Sequence, residues 1–336
     1  MHTSPLAALH AERGATLTAY RGSLTPAGGE DAAWPPAPPQ LFDACWRAVL
    51  EVRGPEARKW LNGMITANVR DLAPGGWAPS FVLDPRGHVL ASLDVACLEP
   101  DRFLLLSDEE QREGLAKRLR GFVFVSKLEI VDRSEAWSAL WLRGAGAREV
   151  WRAAGLAELS SLAPGGVAAM AEGDGYVLAS SPGGFDRLEL LAPAADLRDV
   201  WNRLRQGAAP AGATAAERDR ILSREPRYGV DVTERELPQE TGQMDRLDFT
   251  KGCYVGQEIV ERIRARGAVH RHWRAIRFAA PVEAGAKLEA GGQEVGALTS
   301  VAARNGDWLG LGYVREPAAA AGAKVTAGGA TGEVEP

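Results

Sequence analysis

The 336-residue chain contains few cysteines, and their spacing suggests neither a metal centre nor a disulfide framework. None of the three lies in a C-x-x-C pair, and they are Cys45, Cys97 and Cys253. An odd number of isolated cysteines is typical of a reducing compartment. The sequence also lacks an uncharged run of membrane-spanning length. It has no signal-peptide pattern, because charged residues between His10 and Arg13 interrupt the N-terminal apolar residues. We therefore expect a cytoplasmic protein with no membrane partner.

Several motifs of nucleotide-binding and hydrolytic enzymes are absent too. There is no phosphate-binding loop sequence and no G-x-S-x-G. Gly144-Ala145-Gly146 lacks the third glycine and the downstream acid of a dinucleotide fingerprint. The net charge of −5 argues against a protein that binds nucleic acid over a generally basic surface. The chain length is enough for two or three domains, each with its own core.

The densest run of special residues extends from Phe249 to Gly267. Gly252 and Gly256 bracket Cys253 there, and two glycines so close together predict a tight turn. A helix is predicted from about Gly256 to Arg266, because its apolar residues fall on one face. Gly267 is placed to end that helix.

Cys253 lies just ahead of this predicted helix and two residues from Lys251. A helix N-terminus and a neighbouring ammonium both favour the thiolate form of a cysteine. Free cysteine is also commonly a small interior residue. From the chemistry of the residues alone, a functional thiol and a buried structural residue are both open interpretations.

The rest of the chain divides into three parts. Residues 1–40, with Gly28-Gly29 and the prolines of 35–39, are predicted to be an arm that is ordered only where it contacts the body. Residues 41–267 are predicted to form an α+β body of two related halves, about 41–135 and 136–267, because a strand–helix–strands–helix order occurs twice. Residues 268–336 contain short strand-like runs separated by glycines, which predict a small β-barrel or sandwich.

Two local patterns in the first half predict further detail. Trp77–Leu83 and His88–Leu98 are expected to pair around a turn that contains Pro85 and Gly87. Ser107 and Glu110 have the spacing of a capping box ahead of a helix that ends near Arg120.

A basic span from Arg262 to Arg274 has histidine and tryptophan side chains among its arginines. Such a span can hold RNA or a polyglutamate tail, and the alternative is a solvated helix face followed by a linker. His270 and His272 could ligate a metal ion, but no carboxylate or cysteine completes a ligand set at close spacing. No metal site is predicted.

The octapeptide Lys251-Gly252-Cys253-Tyr254-Val255-Gly256-Gln257-Glu258, followed by Arg262 and Arg266-Gly267, resembles the signature of the YgfZ family. These are folate-binding proteins involved in iron–sulfur cluster maintenance and tRNA modification, and they are similar to the T-protein (aminomethyltransferase) of the glycine cleavage system. The resemblance extends to Val52–Thr66 and to the β-rich C-terminus. Between them it includes three short segments, Arg220-Ile221, Tyr228–Asp231 and Leu237–Glu240. It implies a duplicated T-protein-like α+β body with a central hole that holds tetrahydrofolate, and a small C-terminal β-barrel.

The resemblance also implies roles for particular residues. Cys253 and Lys251 are the candidate catalytic residues. Glu240 is the candidate partner of the pterin, because a carboxylate can accept paired N–H donors from an aminopyrimidine edge; the alternative is a solvated loop glutamate. The other candidate folate contacts are Asn62, Thr66, Tyr254, Gln257 and Arg262. Asn62 stands where the family usually has glutamine, and capping or surface roles are the alternatives for Asn62 and Thr66.

One departure from the T-protein pattern affects the predicted reaction. T-proteins carry an aspartate pair on the strand after the glycine turn, and the corresponding residues here are Ala91 and Ser92. Asp94 lies two residues further along and is expected on the same strand face as Ser92. The loss of the carboxylates counts against aminomethyl transfer.

We therefore expect an accessory factor that binds tetrahydrofolate or a derivative. Its expected partners are iron–sulfur client or assembly proteins, and it would support cluster assembly or repair in client enzymes, including tRNA-modifying ones. The alternatives are a folate-dependent aminomethyl or one-carbon transferase, and a non-enzymatic module that binds RNA or protein.

Overall fold

The computed structural model describes residues 1–28, 34–156, 161–171, 173–267 and 269–336. Gly29 of the predicted arm and Ala268, the first residue of the predicted barrel, lie outside these ranges. The chain divides into two compact units, one of residues 1–80 and 93–216 and the other of residues 81–92 and 217–336. Among the described residues, no helix is long and apolar enough to cross a membrane.

The N-terminal residues of the first unit have regular structure. They form β1 (His2–Thr3), α1 (Ala7–Glu12), β2 (Leu17–Tyr20) and β3 (Ser23–Pro26), and the strands make a sheet in the order β1-β3-β2. Leu6 and Leu9 are buried in a core cluster that also contains Trp151 and Trp201. The N-terminal residues therefore contribute to the core of this unit.

The body contains two successive sets of elements in the same order. The first set is β4 (Gln40–Asp43), β5 (Arg47–Arg53), α2 (Ala57–Met64), β6 (Trp77–Leu83), β7 (Val89–Glu99), β8 (Arg102–Asp108) and α3 (Arg112–Arg120). The second set is β9 (Glu129–Asp132), β10 (Trp137–Arg143), α4 (Ala147–Ala153), β11 (Val167–Ala169), β12 (Tyr176–Ser180), β13 (Arg187–Pro193) and α5 (Leu197–Leu204), and β14 (Ala209–Ala211) follows it. The two sheets have the orders β6-β7-β8-β5-β9 and β11-β12-β13-β10-β4-β14. Their first four strands correspond one to one, which confirms the predicted duplication.

The two halves exchange one strand each. Strand β4 leads into β5 but pairs with β10, and strand β9 leads into β10 but pairs with β5. Both pairings are antiparallel. The first long strand of each half is therefore completed by the strand that introduces the other half.

The sequence relation between the halves is an offset of 90 positions. Leu72-Ala73-Pro74-Gly75-Gly76 is repeated as Leu162-Ala163-Pro164-Gly165-Gly166. The main chains of these two segments bond reciprocally, since Trp77 N donates to Gly165 O and Val167 N donates to Gly75 O, both at 2.8 Å. Arg58 and Arg148 are also 90 positions apart, and they donate to the carbonyl oxygens of Leu72 (2.8 Å) and Leu162 (2.7 Å). The identity is concentrated in these turns, so it is weak when whole halves are compared.

The predicted capping box at Ser107 and Glu110 is wrong. Strand β8 continues to Asp108, one residue beyond Ser107, and the Ser107 hydroxyl donates to the carbonyl oxygen of Asp108 at 3.4 Å. A short 3-10 turn at Glu109–Gln111 follows, and α3 begins only at Arg112. Because α3 starts five residues after Ser107, the Ser107 side chain lies too far before the helix to cap its first turn.

The second unit ends in a closed barrel. Its elements after α6 (Ala213–Leu222) are α7 (Gln257–Arg266), β15 (Arg271–Phe278), β16 (Lys287–Ala290), β17 (Gln293–Arg304), β18 (Asp307–Arg315), β19 (Lys324–Ala327) and β20 (Ala330–Val334). The barrel order is β15-β18-β17-β16-β19-β20. The α+β class with a small C-terminal β-barrel is confirmed.

Candidate functional site

The signature stretch in the second unit forms a turn that leads directly into α7. Asp248 holds the start of the turn, because its Oδ1 accepts hydrogen bonds from the Thr250 amide and hydroxyl (2.7 Å each) and from the Lys251 amide (2.9 Å). At the other end of α7, Gly267 has a φ of 71° and donates its amide to Ile263 O at 2.9 Å. The predicted helix and its glycine end are confirmed.

The two glycines that bracket Cys253 have different roles. Gly256 precedes α7 with a φ of 84°, and a Cβ at this position would lie 2.6 Å from the carbonyl oxygen of Asp84. Both the backbone conformation and the close approach require glycine there. A Cβ at Gly252 would meet no atom within 4 Å, and its φ lies outside the left-handed region. Only Gly256 is therefore needed for the fold of the turn.

Helix α7 packs against the turn between β6 and β7. Gly87 in that turn has a φ of 82°, and a Cβ on it would lie 2.9 Å from the Cβ of Ile259 in α7. Val260, Tyr254, Phe81 and Leu83 are buried in one cluster. This cluster fixes the position of the Cys253 turn within the second unit.

Three side chains of the turn differ in exposure. Cys253 is exposed, whereas Cys45 and Cys97 are buried, so the interpretation of Cys253 as a small interior residue is wrong. Lys251 is buried, and its Nζ lies 5.0 Å from the centroid of the Tyr254 ring, which is a cation–π distance. Burial, followed by the Glu261 and Asp248 charges, raises the pKa of Tyr254 to about 12.

Glu240 is engaged by an arginine from the barrel. Arg271 of β15 donates through Nε to Oε1 of Glu240 at 2.9 Å and through an Nη to Oε2 at 3.1 Å. The same guanidinium donates to Glu236 at 3.2 Å, and the Leu237 amide donates to Oε2 of Glu240 at 3.0 Å. The hydrogen bond with Glu240, and then the two carboxylate charges, raise the pKa of Arg271. Arg271 belongs to the basic span for which RNA was considered, yet its charge is paired inside the second unit.

Buried polar atoms without a hydrogen-bond partner among the described residues lie on the segments around Glu240. They are Gln239 Oε1, Gln243 Nε2, Trp273 Nε1 and Tyr313 OH. Trp273 pairs with Tyr313 across β15 and β18, and the Arg271 guanidinium lies 4.8 Å from the centroid of the Tyr313 ring. Each such atom costs about 1–3 kcal/mol when nothing bonds to it. A cluster of them marks a place where polar groups of a ligand or water belong.

Sequence reasoning missed this cluster. Gln239 and Gln243 are four positions apart and flank Glu240, and that spacing of amides was the only local signal. Trp273 and Tyr313 are brought together by barrel pairing, which no local pattern indicates.

Asn62 and Thr66 lie in the first unit and stabilise the chain after α2. The Asn62 Oδ1 accepts hydrogen bonds from the amides of Val69 and Arg70, both at 3.2 Å. Thr66 is fully buried, with its hydroxyl 3.2 Å from the Ser80 hydroxyl. In the second unit, Gln257 is half-buried in the first turn of α7 and Arg262 is exposed on the same helix.

Ala91 and Ser92, which are expected to correspond to the T-protein aspartates, lie on β7. Ala91 is buried, whereas Ser92 and Asp94 are half-buried, in agreement with a shared strand face. Arg47 donates to Asp94 at 2.9 Å and to Glu189 at 2.7 Å. Asp94 is therefore already part of an ion-pair network in the first unit.

No group of three or more metal-ligating side chains occurs within the described residues. His272, considered as a ligand, instead lies 3.0 Å from a carboxylate oxygen of Glu316.

Comparison with known proteins finds that the chain is similar to aminomethyltransferases and to a putative transferase. A putative chloroplastic transferase of Arabidopsis thaliana is 26% identical over 297 residues, covering 83% of this chain and 66% of the relative. The aminomethyltransferase of Rubrobacter xylanophilus is 28% identical over 238 residues, covering 68% and 62%, so the chain spans just under two thirds of both relatives. The aminomethyltransferase of Desulforamulus reducens is 26% identical over 345 residues, covering 95% and 91%.

A solved structure matches almost the whole length of this chain. The crystal structure of the glycine cleavage system aminomethyltransferase T from Bartonella henselae matches with a TM-score of 0.90 at 21% identity, covering 99% of this chain and 96% of that chain. This confirms the T-protein-like fold. Residues 38–251 match the model of the GCVT N-terminal domain, which is well over half of the sequence. The chain belongs to the GCVT domain family.

Proposed function

We propose that this protein binds tetrahydrofolate or a derivative and supports assembly or repair of iron–sulfur clusters in client enzymes, including tRNA-modifying ones, as YgfZ proteins do. The observation that carries the proposal is the exposed thiol of Cys253 on a turn held by Asp248 and Gly256. A structural cysteine needs no such exposure, and the other two cysteines are buried. The YgfZ-like octapeptide around the thiol supports the same assignment.

The second unit supports folate as the ligand. A pterin has hydrogen-bond donors and acceptors along the edges of a flat ring, and the unpartnered atoms of Gln243, Trp273 and Tyr313 include both kinds of group. We assign Glu240 the role of acceptor for the pterin, with Tyr254 as a further contact. Bound folate would supply a carrier for one-carbon units. The residues of the chain bind and orient it.

The remaining candidate contacts have two different roles in this proposal. Gln257 and Arg262, on the half-buried and exposed parts of α7, are assigned to the less buried part of the folate. Asn62 and Thr66 hold the segment after α2 through their present hydrogen bonds, so we assign them to positioning.

We assign Cys253 the contact with the transferred group and Lys251 a supporting role in the same turn. The group is a folate-borne carbon unit, a sulfur species or a cluster in transit. The replacement of carboxylates by Ala91 and Ser92 supports a reaction centred on the thiol, because neither side chain can serve as a carboxylate base.

Complementation tests the proposal. Cys253→Ser is expected to fold like the wild type yet fail to restore iron–sulfur enzyme activity in cells that lack the native factor. Cys97→Ala, which removes a buried thiol from the first unit, is the matched control and is expected to restore activity. Full restoration by Cys253→Ser would remove the thiol from the function.

A folate-dependent aminomethyl or one-carbon transferase is the second candidate. The names of the relatives and the half-buried position of Asp94 on β7 favour it. An assay for methylene-tetrahydrofolate formation from lipoyl-bound or free methylamines separates the two functions. We expect no turnover, because Asp94 is paired with Arg47 and the aspartate positions hold Ala91 and Ser92. Turnover that Asp94→Asn abolishes and Cys253→Ser retains would establish the transferase instead.

A further inference from the structure

A cavity of about 750 Å³ lies in the first unit, and none of the residues assigned above lines it. Pockets for small organic molecules have volumes of this order. His10 and Arg13, from the N-terminal part of the chain, line the cavity. Trp201 of α5 and Arg205, the residue that follows this helix, line it as well. Its other walls are main-chain segments near Gly28 and Gly212.

The main-chain wall is closely packed. Gly212 N donates to Gly28 O at 2.8 Å, and Ala27 N donates to Thr16 O at 2.9 Å. A Cβ on Gly212 would lie 2.1 Å from the carbonyl oxygen of Pro26, so only glycine fits. These contacts join the segment after β3 to the segment after β14 and give the cavity a defined shape.

His10, one of the residues that line the cavity, is fixed by a hydrogen bond with a buried carboxylate. His10 is buried, and its Nε2 lies 2.8 Å from Oδ2 of Asp43, which also accepts a hydrogen bond from the Ser4 hydroxyl. The His10 and Trp201 rings meet edge to face, with centroids 5.0 Å apart. The positions of both rings are therefore set before any ligand arrives.

Among the described residues that line the cavity, the permanently charged side chains are Arg13 and Arg205. Arg205 is exposed at the cavity, and Arg13 donates one hydrogen bond, to Asn202 at 3.3 Å. Trp201 is 2% exposed, and its indole N–H has no hydrogen-bond partner among the described residues. None of the described residues that line the cavity is a carboxylate. Although the net charge of the chain is −5, the two arginines make the charge at this cavity positive. The cavity therefore favours an anion.

We propose that this cavity binds a small organic carboxylate with a planar apolar part. The carboxylate pairs with the guanidinium groups of Arg205 and Arg13, and the planar part lies against the apolar side chains of Ala15, Ala27 and Pro210 that line the cavity. Guanidinium groups also bind phosphate, but these apolar side chains favour a ligand that buries carbon as well as charge. The site uses only residues of the first unit and is independent of the function proposed for Cys253.

Calorimetric titration of the full chain with benzoate tests the proposal. Benzoate combines a carboxylate with a planar ring, and we expect it to bind at one site. Benzyl alcohol, which keeps the ring without the charge, and inorganic phosphate, which keeps charge without the ring, are expected to bind more weakly. Arg205→Gln is expected to weaken benzoate binding about tenfold or more, because a charge-assisted bond is lost.

Arg198→Gln is the matched control. Arg198 is an exposed arginine of α5 that pairs with Glu12 at 3.1 Å and does not line the cavity. It is expected to bind benzoate like the wild type. Absence of benzoate binding at millimolar concentration, or equal affinity in wild type and Arg205→Gln, would overturn the proposal. Folate titration of Arg205→Gln, expected to match wild type, shows that the two sites are separate.

Discussion

Arg271 donates hydrogen bonds to both carboxylate oxygens of Glu240, at 2.9 Å to Oε1 and 3.1 Å to Oε2. With the Leu237 amide on Oε2, three of the about four acceptor positions of the carboxylate are occupied. An aminopyrimidine edge requires one position on each oxygen. Glu240 can therefore receive a pterin through both oxygens only if Arg271 moves away from it, and Glu236 is already in place as the alternative partner.

Glu240→Gln is predicted to lower the affinity for tetrahydrofolate about tenfold or more, because the charge that orients the pterin donors is lost. The fold should survive, since Glu236 still pairs with Arg271. Calorimetry with folate derivatives measures the affinity. Glu333→Gln, which breaks a surface pair with Lys324, is the control and should bind normally. Equal affinity in Glu240→Gln and wild type would exclude Glu240 as the pterin partner.

Unlike Glu240→Gln, the Arg271→Gln variant is not expected to lose affinity for folate. Removing the guanidinium frees both oxygens of Glu240, so folate affinity is expected to stay the same or rise while unfolding becomes easier. Chemical denaturation and calorimetry on the same preparation test this. A loss of folate affinity as large as that of Glu240→Gln would mean that the arginine holds the carboxylate in its binding position.

One thiol is predicted to react rapidly with a disulfide reagent in the native protein. Cys253 is exposed, whereas Cys45 and Cys97 are buried, and burial raises the pKa of both buried thiols. A thiol that is buried and protonated reacts slowly. The fast phase should correspond to one equivalent and should vanish in Cys253→Ser. A fast phase that persists in this variant would contradict the exposure described for the three cysteines.

The two signature glycines are predicted to differ in their tolerance of alanine. Gly256→Ala should lower the free energy of unfolding by about 1–3 kcal/mol, because it places a Cβ at a φ of 84° and close to Asp84 O. Gly252→Ala should change it by about 0.5 kcal/mol or less, since nothing lies within 4 Å of the added Cβ. Urea denaturation of both variants measures the difference. Equal effects would show that the turn is not held as described.

Tyr254→Phe is predicted to leave the free energy of unfolding at pH 7 unchanged or to raise it by up to about 1–3 kcal/mol, because the buried hydroxyl has no partner among the described residues and the ring still faces Lys251. The pKa of Tyr254 is raised from 10.0 to about 12, so the protonated phenol stabilises the native state fully below pH 10. That contribution is lost as the pH rises from about 10 to 12. Wild type should therefore lose stability in this window more steeply than Tyr254→Phe in denaturation experiments, and parallel curves would refute the raised pKa.

The elements that could be predicted from the sequence have local causes. Gly267 ends α7 because glycine adopts the left-handed conformation there, and the turn after β6 forms around Pro85 and Gly87. The Glu240–Arg271 pair joins residues 31 positions apart through the start of the barrel, so no local pattern indicated it. The basic span was visible as charge, but pairing of Arg271 with Glu236 and Glu240 depends on the fold.

The duplication shows the same division between local and long-range information. The repeated order of strands and helices followed from hydrophobic patterns within each half. The pairing of β4 with β10 depends on a strand that begins almost a hundred residues later, and its sequence carries no sign of its partner. The 90-position offset between Leu72 and Leu162 was a readable signal, since five consecutive residues are identical.

The exchange of β4 and β9 also has a consequence for synthesis on the ribosome. Strand β4 ends at Asp43, and its partner β10 begins only at Trp137. At a translation rate of about 5–20 residues per second, synthesis of the residues from β4 to the end of β10 takes roughly 5–20 s. During this time the main-chain edge of β4 that pairs with β10 has no partner strand. The sheet of the second half cannot close until that delay has passed, so completion of the first unit is tied to the emergence of the second half from the ribosome.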